Sequence, residues 1–253
     1  MISCKIDGID VQVEKGTTIL EAARQSGIRI PTLCHHEALT PYGGCRLCMV
    51  EVTRGDARQI VSSCAYEAEE GIKVKTATDR IIKLRRFIVA LLLAEAPEAK
   101  VLQDLATELG AEKPARFTPR NELCIACGQC IRACSELVGV SAIDFAQRGY
   151  EKKAASPYFQ RSEDCIGCGT CYAICPTKAI TLRDIAEGEQ FVQPDGNVVN
   201  GPARIIDNWK VNFEMKRCRE CGEPFAPAFQ LEYIQKKVKL AEDFFAVCVQ
   251  CRP

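Results

Sequence analysis

The cysteines are the residues of this sequence whose number and spacing could do chemistry. Seventeen occur among 253 residues, about 7%, a density close to that of small secreted disulfide scaffolds. The first residues, Met1-Ile2-Ser3-Cys4, include neither the apolar core nor the small-residue cleavage site of an export signal. We therefore expect a cytoplasmic protein whose cysteines are reduced. Reduced cysteines at this density are typical of proteins that bind soft or borderline metals through thiolates.

The cysteines fall into four groups of four. The groups are Cys34, Cys45, Cys48 and Cys64; Cys124, Cys127, Cys130 and Cys134; Cys165, Cys168, Cys171 and Cys175; and Cys218, Cys221, Cys248 and Cys251. The remaining one, Cys4, lies in an alternating apolar segment, residues 2–6. We expect it to be an inert thiol that packs as a small apolar side chain.

The two central groups both have the spacing C-x2-C-x2-C-x3-C of bacterial ferredoxins. In that arrangement three closely spaced cysteines wrap one cubane, and the fourth ligates the other cubane. The predicted [4Fe-4S] ligands are Cys124, Cys127, Cys130 and Cys175 for the first cluster and Cys134, Cys165, Cys168 and Cys171 for the second. Structural zinc is the alternative, but zinc sites use pairs of cysteines rather than a triplet plus one. The first motif lacks the usual proline, because Ser135 follows Cys134.

The first group, Cys34-x10-Cys45-x2-Cys48-x15-Cys64, differs from the plant-type C-x4-C-x2-C loop. Its long gap contains Pro41 and Gly43-Gly44, which can fold a loop over a flat two-iron centre. We predict a [2Fe-2S] cluster here, with zinc as the alternative. His35 and His36 adjoin Cys34 and are the only histidines of the chain. We expect them to lie beside the ligands or at the surface, since four cysteines already complete the site.

The last group consists of two CxxC pairs. Pairs of this kind suit a closed tetrahedral zinc site, so we predict Zn2+ bound by Cys218, Cys221, Cys248 and Cys251 in a zinc-ribbon-like module used for docking. A third [4Fe-4S] cluster is the alternative. Nucleic acid is not an expected partner of this module, because 33 Lys and Arg balance 33 Asp and Glu.

The segments around these groups predict an α+β protein. A hairpin of residues 2–6 and 9–13 turns at Asp7-Gly8, and Thr18-x-x-Glu21 opens a helix as a capping box. Strand-like runs follow at residues 49–53, 59–62 and 72–75. Further on, the pattern predicts a helix over 79–95, a second helix that ends at Gly110 and an extended connector with Pro114 and Pro119. The arm from 183 to 215 is predicted to be rich in β-strands, with a turn at Asp195-Gly196-Asn197, and 229–245 is helix-like.

Several segments of the sequence resemble a known family. They are Ile30-Pro31-Thr32-Leu33-Cys34, residues 44–51, residues 130–137 and residues 139–148. They resemble the N-terminal iron–sulfur module of the complex I large peripheral subunit and the small diaphorase subunit of NAD-linked [NiFe] hydrogenases. They also resemble parts of NAD-dependent formate dehydrogenases and [FeFe] hydrogenases. The resemblance covers roughly residues 1–182.

The resemblance implies a β-grasp [2Fe-2S] ferredoxin domain at residues 1–77, a helical linker at 78–120 and a bacterial-type 2[4Fe-4S] ferredoxin domain at 121–182. The arm at 183–215 and the Cys4 module at 216–253 follow. It also implies a relay of electrons beside a flavoprotein that binds FMN and NAD(P)H.

Two features depart from the family. No His-x3-Cys-x2-Cys cluster occurs between Cys64 and Cys124, and the diaphorase subunits generally lack the C-terminal module.

The sequence contains no dinucleotide-binding G-x-G-x-x-G, no P-loop and no nucleophile–base pair. Its longest apolar run, residues 87–94, has 8 residues, far below the roughly 20 of a membrane-spanning helix. We therefore expect a subunit that is not catalytic alone. It would pass single electrons through one [2Fe-2S] and two [4Fe-4S] clusters to a catalytic partner such as a hydrogenase or formate dehydrogenase, with ferredoxin as a further partner if electrons bifurcate. The alternatives are a stand-alone iron–sulfur reductase and a zinc-only interaction protein.

Overall fold

The computed structural model describes residues 1–117, 122–193 and 196–252. It divides into two compact units, one made of Met1–Gln129 with Pro176–Ala179 and the other of Cys130–Cys175 with Ile180–Pro253. Two residues of the predicted connector and turn, Pro119 and Asp195, lie outside the described part.

The first unit contains a mixed sheet of five strands in the order β2-β1-β5-β3-β4. The strands are β1 (Ile2–Ile6), β2 (Ile9–Val13), β3 (Met49–Arg54), β4 (Ala57–Ser62) and β5 (Lys73–Lys75). β1 pairs parallel with β5, whereas the hairpin pairs are antiparallel. This is the strand order of a β-grasp sheet. Asp7 and Gly8 both have positive φ, 48° and 93°, as a tight type I′ turn requires, so the predicted hairpin is confirmed.

Helix α1 (Ile19–Gln25) begins at the predicted capping box. The Thr18 hydroxyl accepts from the Glu21 backbone N–H, while the Glu21 carboxylate accepts from the Thr18 backbone N–H at 2.9 Å. The helix buries Ile19 and Leu20 in the core of the sheet. Cys4 lies in the same core at 5% exposure, and burial raises the pKa of its thiol. It therefore stays protonated and packs as an apolar side chain, as predicted.

Two further helices complete the first unit. Helix α2 (Asp79–Glu95) has the predicted bounds, and the hydroxyl of its cap Thr78 accepts from the Ile81 N–H at 3.3 Å. Helix α3 (Lys100–Leu109) ends at Gly110, which has a left-handed φ of 63°. The two helices share a second apolar core with the cluster-bearing loops. Its buried members include Leu33, Leu47, Val89, Leu102 and Ile125.

The second unit begins as α4 (Gln129–Arg132) passes into a π-helical turn, Ala133–Val138. The hairpin β6 (Asp144–Ala146) and β7 (Lys153–Ala155) follows, and then α5 (Thr170–Ile174). The arm is rich in strands as predicted: β8 (Leu182–Ile185), β9 (Gln190–Val192), β10 (Val198–Asn200) and β11 (Ala203–Ile206).

The arm and the C-terminal segment share one sheet. Its order is β13-β12-β11-β8, with β12 at Val211–Arg217 and β13 at Pro224–Pro227. β12 runs through the boundary that the sequence predicted between 215 and 216. The predicted helix over 229–245 is wrong in its length. Helix α6 spans Ala228–Lys237 and stops because the chain turns back, so that Val247 and Cys248 can pack against Cys218.

Among the residues that the structure describes, every helix is too short or too polar to cross a lipid bilayer.

Candidate metal centres

The first cysteine group gathers in the first unit beside the β-grasp sheet. The Cys34 sulfur accepts from the Cys45 backbone N–H at 3.3 Å. The sulfurs of Cys48 and Cys64 lie 3.4 Å apart. Cys34, Cys48 and Cys64 are each only 1% exposed. The four thiols thus form two pairs, Cys34 with Cys45 and Cys48 with Cys64.

The pKa values of these thiols follow the same pairing. A hydrogen bond shared between the two sulfurs of a pair lowers the pKa of Cys45 and of Cys48 to about 6. The same bond raises the pKa of the other member, Cys34 or Cys64. The two sulfurs of each pair therefore share a proton, which metal binding would displace. Two pairs of sulfurs, of which only Cys45 is partly exposed, fit a two-iron centre in which each iron takes two cysteine ligands.

Arg85 of α2 holds the loop that carries Cys48. Its guanidinium donates from Nε to the Leu47 carbonyl at 3.0 Å and from Nη2 to the Met49 carbonyl at 2.9 Å. The residue is 5% exposed, and desolvation lowers its pKa, partly countered by the charge of Cys48. A buried cation thus fixes the backbone on both sides of a predicted cluster ligand.

The ferredoxin motif starts next to this site. The Gln129 side chain, 4% exposed, donates to the Leu33 carbonyl at 2.9 Å and to the His35 carbonyl at 3.2 Å. These carbonyls flank Cys34. His36, by contrast, uses Nδ1 to accept from the exposed Ala38 backbone N–H at 3.2 Å. One amide side chain therefore ties the [2Fe-2S] loop to the start of α4.

The predicted ligands of the first [4Fe-4S] cluster belong to both units. Cys124 and Cys127 lie in the first unit, and Cys130 and Cys175 lie in the second. In the first unit the Ala126 N–H donates to the Cys124 sulfur at 3.4 Å. This ligand set stays a prediction from the sequence.

The predicted ligands of the second [4Fe-4S] cluster surround one apolar cavity in the second unit. Cys134 comes from the π-helical turn, and Cys165, Cys168 and Cys171 come from the loop and helix that end with α5. The other lining residues are apolar or small: Val138, Val140, Ala142, Ile143, Ile166, Gly169, Thr170, Ile206 and Trp209. The fold thus brings the last cysteine of one motif to the first three of the other.

The sulfurs around this cavity accept hydrogen bonds from nearby N–H and O–H groups. The Ala142 N–H donates to Cys134 at 3.3 Å, and the Thr170 hydroxyl donates to Cys168 at 3.3 Å. Burial raises the pKa of Cys165 to about 11 and that of Cys171 to about 12. Thiolates in so apolar a cavity need cationic partners. Four cysteine sulfurs with N–H and O–H donors around an apolar space therefore fit an iron–sulfur cluster.

The arm forms one wall of this cavity. Ile206 and Trp209 line it, and the Arg204 guanidinium donates to the Gly167 carbonyl at 3.3 Å while pairing with Asp184 at 2.7 Å. Gly167 has a φ of 69°, and a Cβ there would meet the Phe213 ring at 2.5 Å. The cluster loop is therefore packed directly against the sheet. No sequence pattern predicted this wall, because its contacts join residues 37 or 38 positions apart.

The four cysteines of the C-terminal group lie close together. The sulfurs of Cys218, Cys221, Cys248 and Cys251 all lie within 4.8 Å of one another, and those of Cys221 and Cys248 are 3.9 Å apart. The Cys248 N–H donates to the Cys218 sulfur at 3.3 Å. This bond is the main reason that the pKa of Cys218 falls to about 6, whereas a hydrogen bond shared with Cys248 raises that of Cys251 to about 12.

The spacing of these sulfurs can be compared with that of a metal site. Zinc–sulfur bonds of about 2.3 Å place tetrahedral ligand sulfurs about 3.8 Å apart. A cubane needs its ligand sulfurs farther apart, because four irons lie between them. The donor set therefore fits a single tetrahedral ion.

Three known families match segments of the chain that contain the first three cysteine groups. Residues 1–79 match the family described as "2Fe-2S iron-sulfur cluster binding domain". Residues 123–179 match a "4Fe-4S dicluster domain", and residues 157–224 match a second family of the same description that overlaps the first. The predicted succession of a 2Fe-2S domain and a 4Fe-4S dicluster domain is thereby confirmed.

Two curated oxidoreductase subunits are similar to this chain in sequence. The chain is 31% identical over 211 residues to the NADH-ubiquinone oxidoreductase 75 kDa subunit of Reclinomonas americana, an alignment that covers 74% of this chain and 30% of that protein. It is 34% identical over 173 residues to the NADPH-Fe(3+) oxidoreductase subunit alpha of Geobacter sulfurreducens (strain DL-1 / KN400), which covers 59% of this chain and 20% of that protein. The chain thus spans less than a third of the length of either relative.

Among solved structures, the chain is similar to a chain of an NAD+-reducing [NiFe]-hydrogenase crystallised in the H2-reduced state. The TM-score is 0.61 at 28% identity, and the match covers 70% of this chain and 86% of that one. The predicted resemblance is therefore confirmed. The chain is a homologue of the iron–sulfur proteins of NAD(P)H-linked oxidoreductases, with a 2Fe-2S domain followed by a 4Fe-4S dicluster domain.

Proposed function

We propose that this chain is the electron-relay subunit of an NAD(P)-linked oxidoreductase complex, carrying one [2Fe-2S] and two [4Fe-4S] clusters. The observation that carries the proposal is the cavity of the second unit, where Cys134 faces Cys165, Cys168 and Cys171. The interleaving of two motifs is what a two-cubane ferredoxin requires, and a pair of closely spaced clusters serves to pass single electrons.

The ligands follow from the cysteine groups. Cys34 and Cys45 would bind one iron of the [2Fe-2S] cluster, and Cys48 and Cys64 the other. The first [4Fe-4S] cluster would take Cys124, Cys127, Cys130 and Cys175. The second would take Cys134, Cys165, Cys168 and Cys171.

The bonds of Gln129 support a path between the first two clusters. They join the backbone on both sides of Cys34 to a residue between Cys127 and Cys130. A fixed contact between the segment of Cys124 and Cys127 and the loop of Cys34 would favour electron exchange between their clusters. The buried Arg85 supports the same path, because it fixes the loop of Cys48.

The proposed partners are a flavoprotein that binds FMN and NAD(P)H and a catalytic oxidoreductase subunit. The names of the similar proteins support this pairing, since one is an NADH-ubiquinone oxidoreductase subunit and another belongs to an NAD+-reducing hydrogenase. If the complex bifurcates electrons, ferredoxin is a third partner.

We further propose that the C-terminal group binds one Zn2+ and serves to dock a partner. The close spacing of its sulfurs supports a single ion over a third [4Fe-4S] cluster. β12 joins this site to the wall of the second cubane cavity, so zinc would also brace that wall.

Anaerobic purification tests the proposed function. The chain should co-purify with a flavin-binding polypeptide, and NAD(P)H should reduce its clusters only when that polypeptide is present. The proposal fails if the chain alone oxidises NADH with a viologen dye, which would indicate a stand-alone reductase. It also fails if the preparation contains zinc but no iron.

A further inference from the structure

Trp209 is the only tryptophan of the chain, and its indole points at a predicted cluster ligand. Its Nε1–H donates to the Cys171 sulfur at 3.3 Å. The residue is 3% exposed and lines the same cavity as the four cysteines. It therefore combines a hydrogen bond to one sulfur with an apolar ring that covers the cavity.

The turn that carries Trp209 is held in place on both sides. The Asp207 N–H donates to the Thr181 carbonyl at 3.2 Å, and the Thr181 N–H donates to the Asn208 side chain at 2.7 Å. Asp207 also forms an ion pair with Arg183 of β8. The indole thus enters the cavity from a fixed backbone, which keeps the direction of its N–H constant.

A donor to a ligand sulfur acts on the redox equilibrium of a cluster. Reduction adds negative charge, some of which resides on the cysteine sulfurs, and an N–H group stabilises that charge. A hydrogen bond to the sulfur therefore stabilises the reduced state more than the oxidised state and raises the midpoint potential.

We propose that Trp209 is a positioning residue that raises the midpoint potential of the second [4Fe-4S] cluster through its hydrogen bond to Cys171. This inference rests on the proposed electron relay. It gives the arm a role in that relay, because the turn between β11 and β12 would then adjust the potential of the second cubane.

The test compares two substitutions in the cavity wall. Trp209→Phe keeps an aromatic ring but removes the N–H donor. Ile206→Val removes one methyl group from the same wall and no hydrogen bond. EPR-monitored redox titration of the anaerobic protein should show one of the two [4Fe-4S] signals moving to lower potential in Trp209→Phe. The other [4Fe-4S] signal and the [2Fe-2S] signal should not move, and Ile206→Val should titrate like wild type.

A second measurement needs no substitution. Because the chain has a single tryptophan, labelling with 15N-indole places one labelled indole nitrogen in the protein. Pulsed EPR of the reduced protein should detect a 15N coupling at one [4Fe-4S] cluster, the one that shifts in Trp209→Phe. This readout tests the hydrogen bond itself even if Trp209→Phe loses its cluster.

The inference would be overturned by an absent 15N coupling, or by a Trp209→Phe protein with full iron content and unchanged potentials. An equal shift in Ile206→Val would also overturn it, since the effect would then come from packing. Failure of the relay itself is distinguishable, because it would show in the wild-type protein, either as zinc without iron or as oxidation of NADH by the chain alone.

Discussion

Arg85 offers a direct test of how the first unit holds its cluster. Arg85→Met replaces the guanidinium by an unbranched apolar side chain and removes the donors to the Leu47 and Met49 carbonyls, which lie 3.0 and 2.9 Å from their nitrogens. Hydrogen bonds from a charged donor contribute about 1.5 to 3 kcal/mol each. Part of this loss is offset, because the substitution also removes a desolvated cation. We expect the free energy of unfolding to fall by about 2 to 4 kcal/mol.

The assay is an anaerobic urea titration that follows the [2Fe-2S] EPR signal. With a slope of about 2 kcal/mol per molar urea, the midpoint should fall by roughly 1 to 2 M. Arg86→Met is the matched control, because the neighbouring Arg86 is exposed and donates to a single carbonyl, that of Leu109, at 2.8 Å. Its midpoint should fall by less than half as much. Equal midpoints for the two variants would refute the role of Arg85 in holding the loop.

Three further substitutions test the proposed ligands and path. Cys134→Ala should damage the cubane of Cys165, Cys168 and Cys171 and lower the iron content from about ten atoms per chain toward about six. Loss of the other cubane instead would show that the four cysteines of each motif bind the same cluster. Cys218→Ala should release one zinc per chain and weaken complex assembly while the iron EPR signals persist, and loss of a low-potential signal would indicate iron there. Gln129→Leu removes two buried hydrogen bonds, so it should slow electron exchange between the [2Fe-2S] and [4Fe-4S] clusters in freeze-quench EPR by several-fold or more, without lowering the iron content. An unchanged rate would show that this side chain does not set the path.

Much of the fold could be predicted because the sequence patterns that specify its turns and helices are local. The Asp7-Gly8 turn and the Thr18 capping box act within a few residues, and the spacing of apolar residues in α2 indicated the bounds of that helix. The spacing of the cysteines indicated their groups, since a cluster constrains the spacing of its ligands, and the assignment of ligands to each cluster stays a prediction.

The features that the sequence could not predict depend on distant contacts. From the sequence, Arg85 is expected on the exposed face of a helix. The fold instead buries it against the Leu47 and Met49 carbonyls, 38 and 36 residues away. Trp209 lies in an ordinary turn, and only the sheet brings it to Cys171. The predicted helix over 229–245 overran its end, because apolar spacing continues past Lys237 while packing around Cys218 redirects the chain.

The choice between zinc and iron at the C-terminal site also depended on three-dimensional spacing. Two CxxC pairs are compatible with either metal, whereas sulfurs within 4.8 Å of one another favour a single ion.

The central claim is that this chain holds one [2Fe-2S] and two [4Fe-4S] clusters. The most direct measurement is chemical analysis of iron and acid-labile sulfide in the anaerobically purified chain, with EPR spin quantitation after dithionite reduction. We expect about ten iron and ten sulfide per chain and three separate EPR signals. A colourless protein without labile sulfide, whose cysteines bind only zinc, would contradict it.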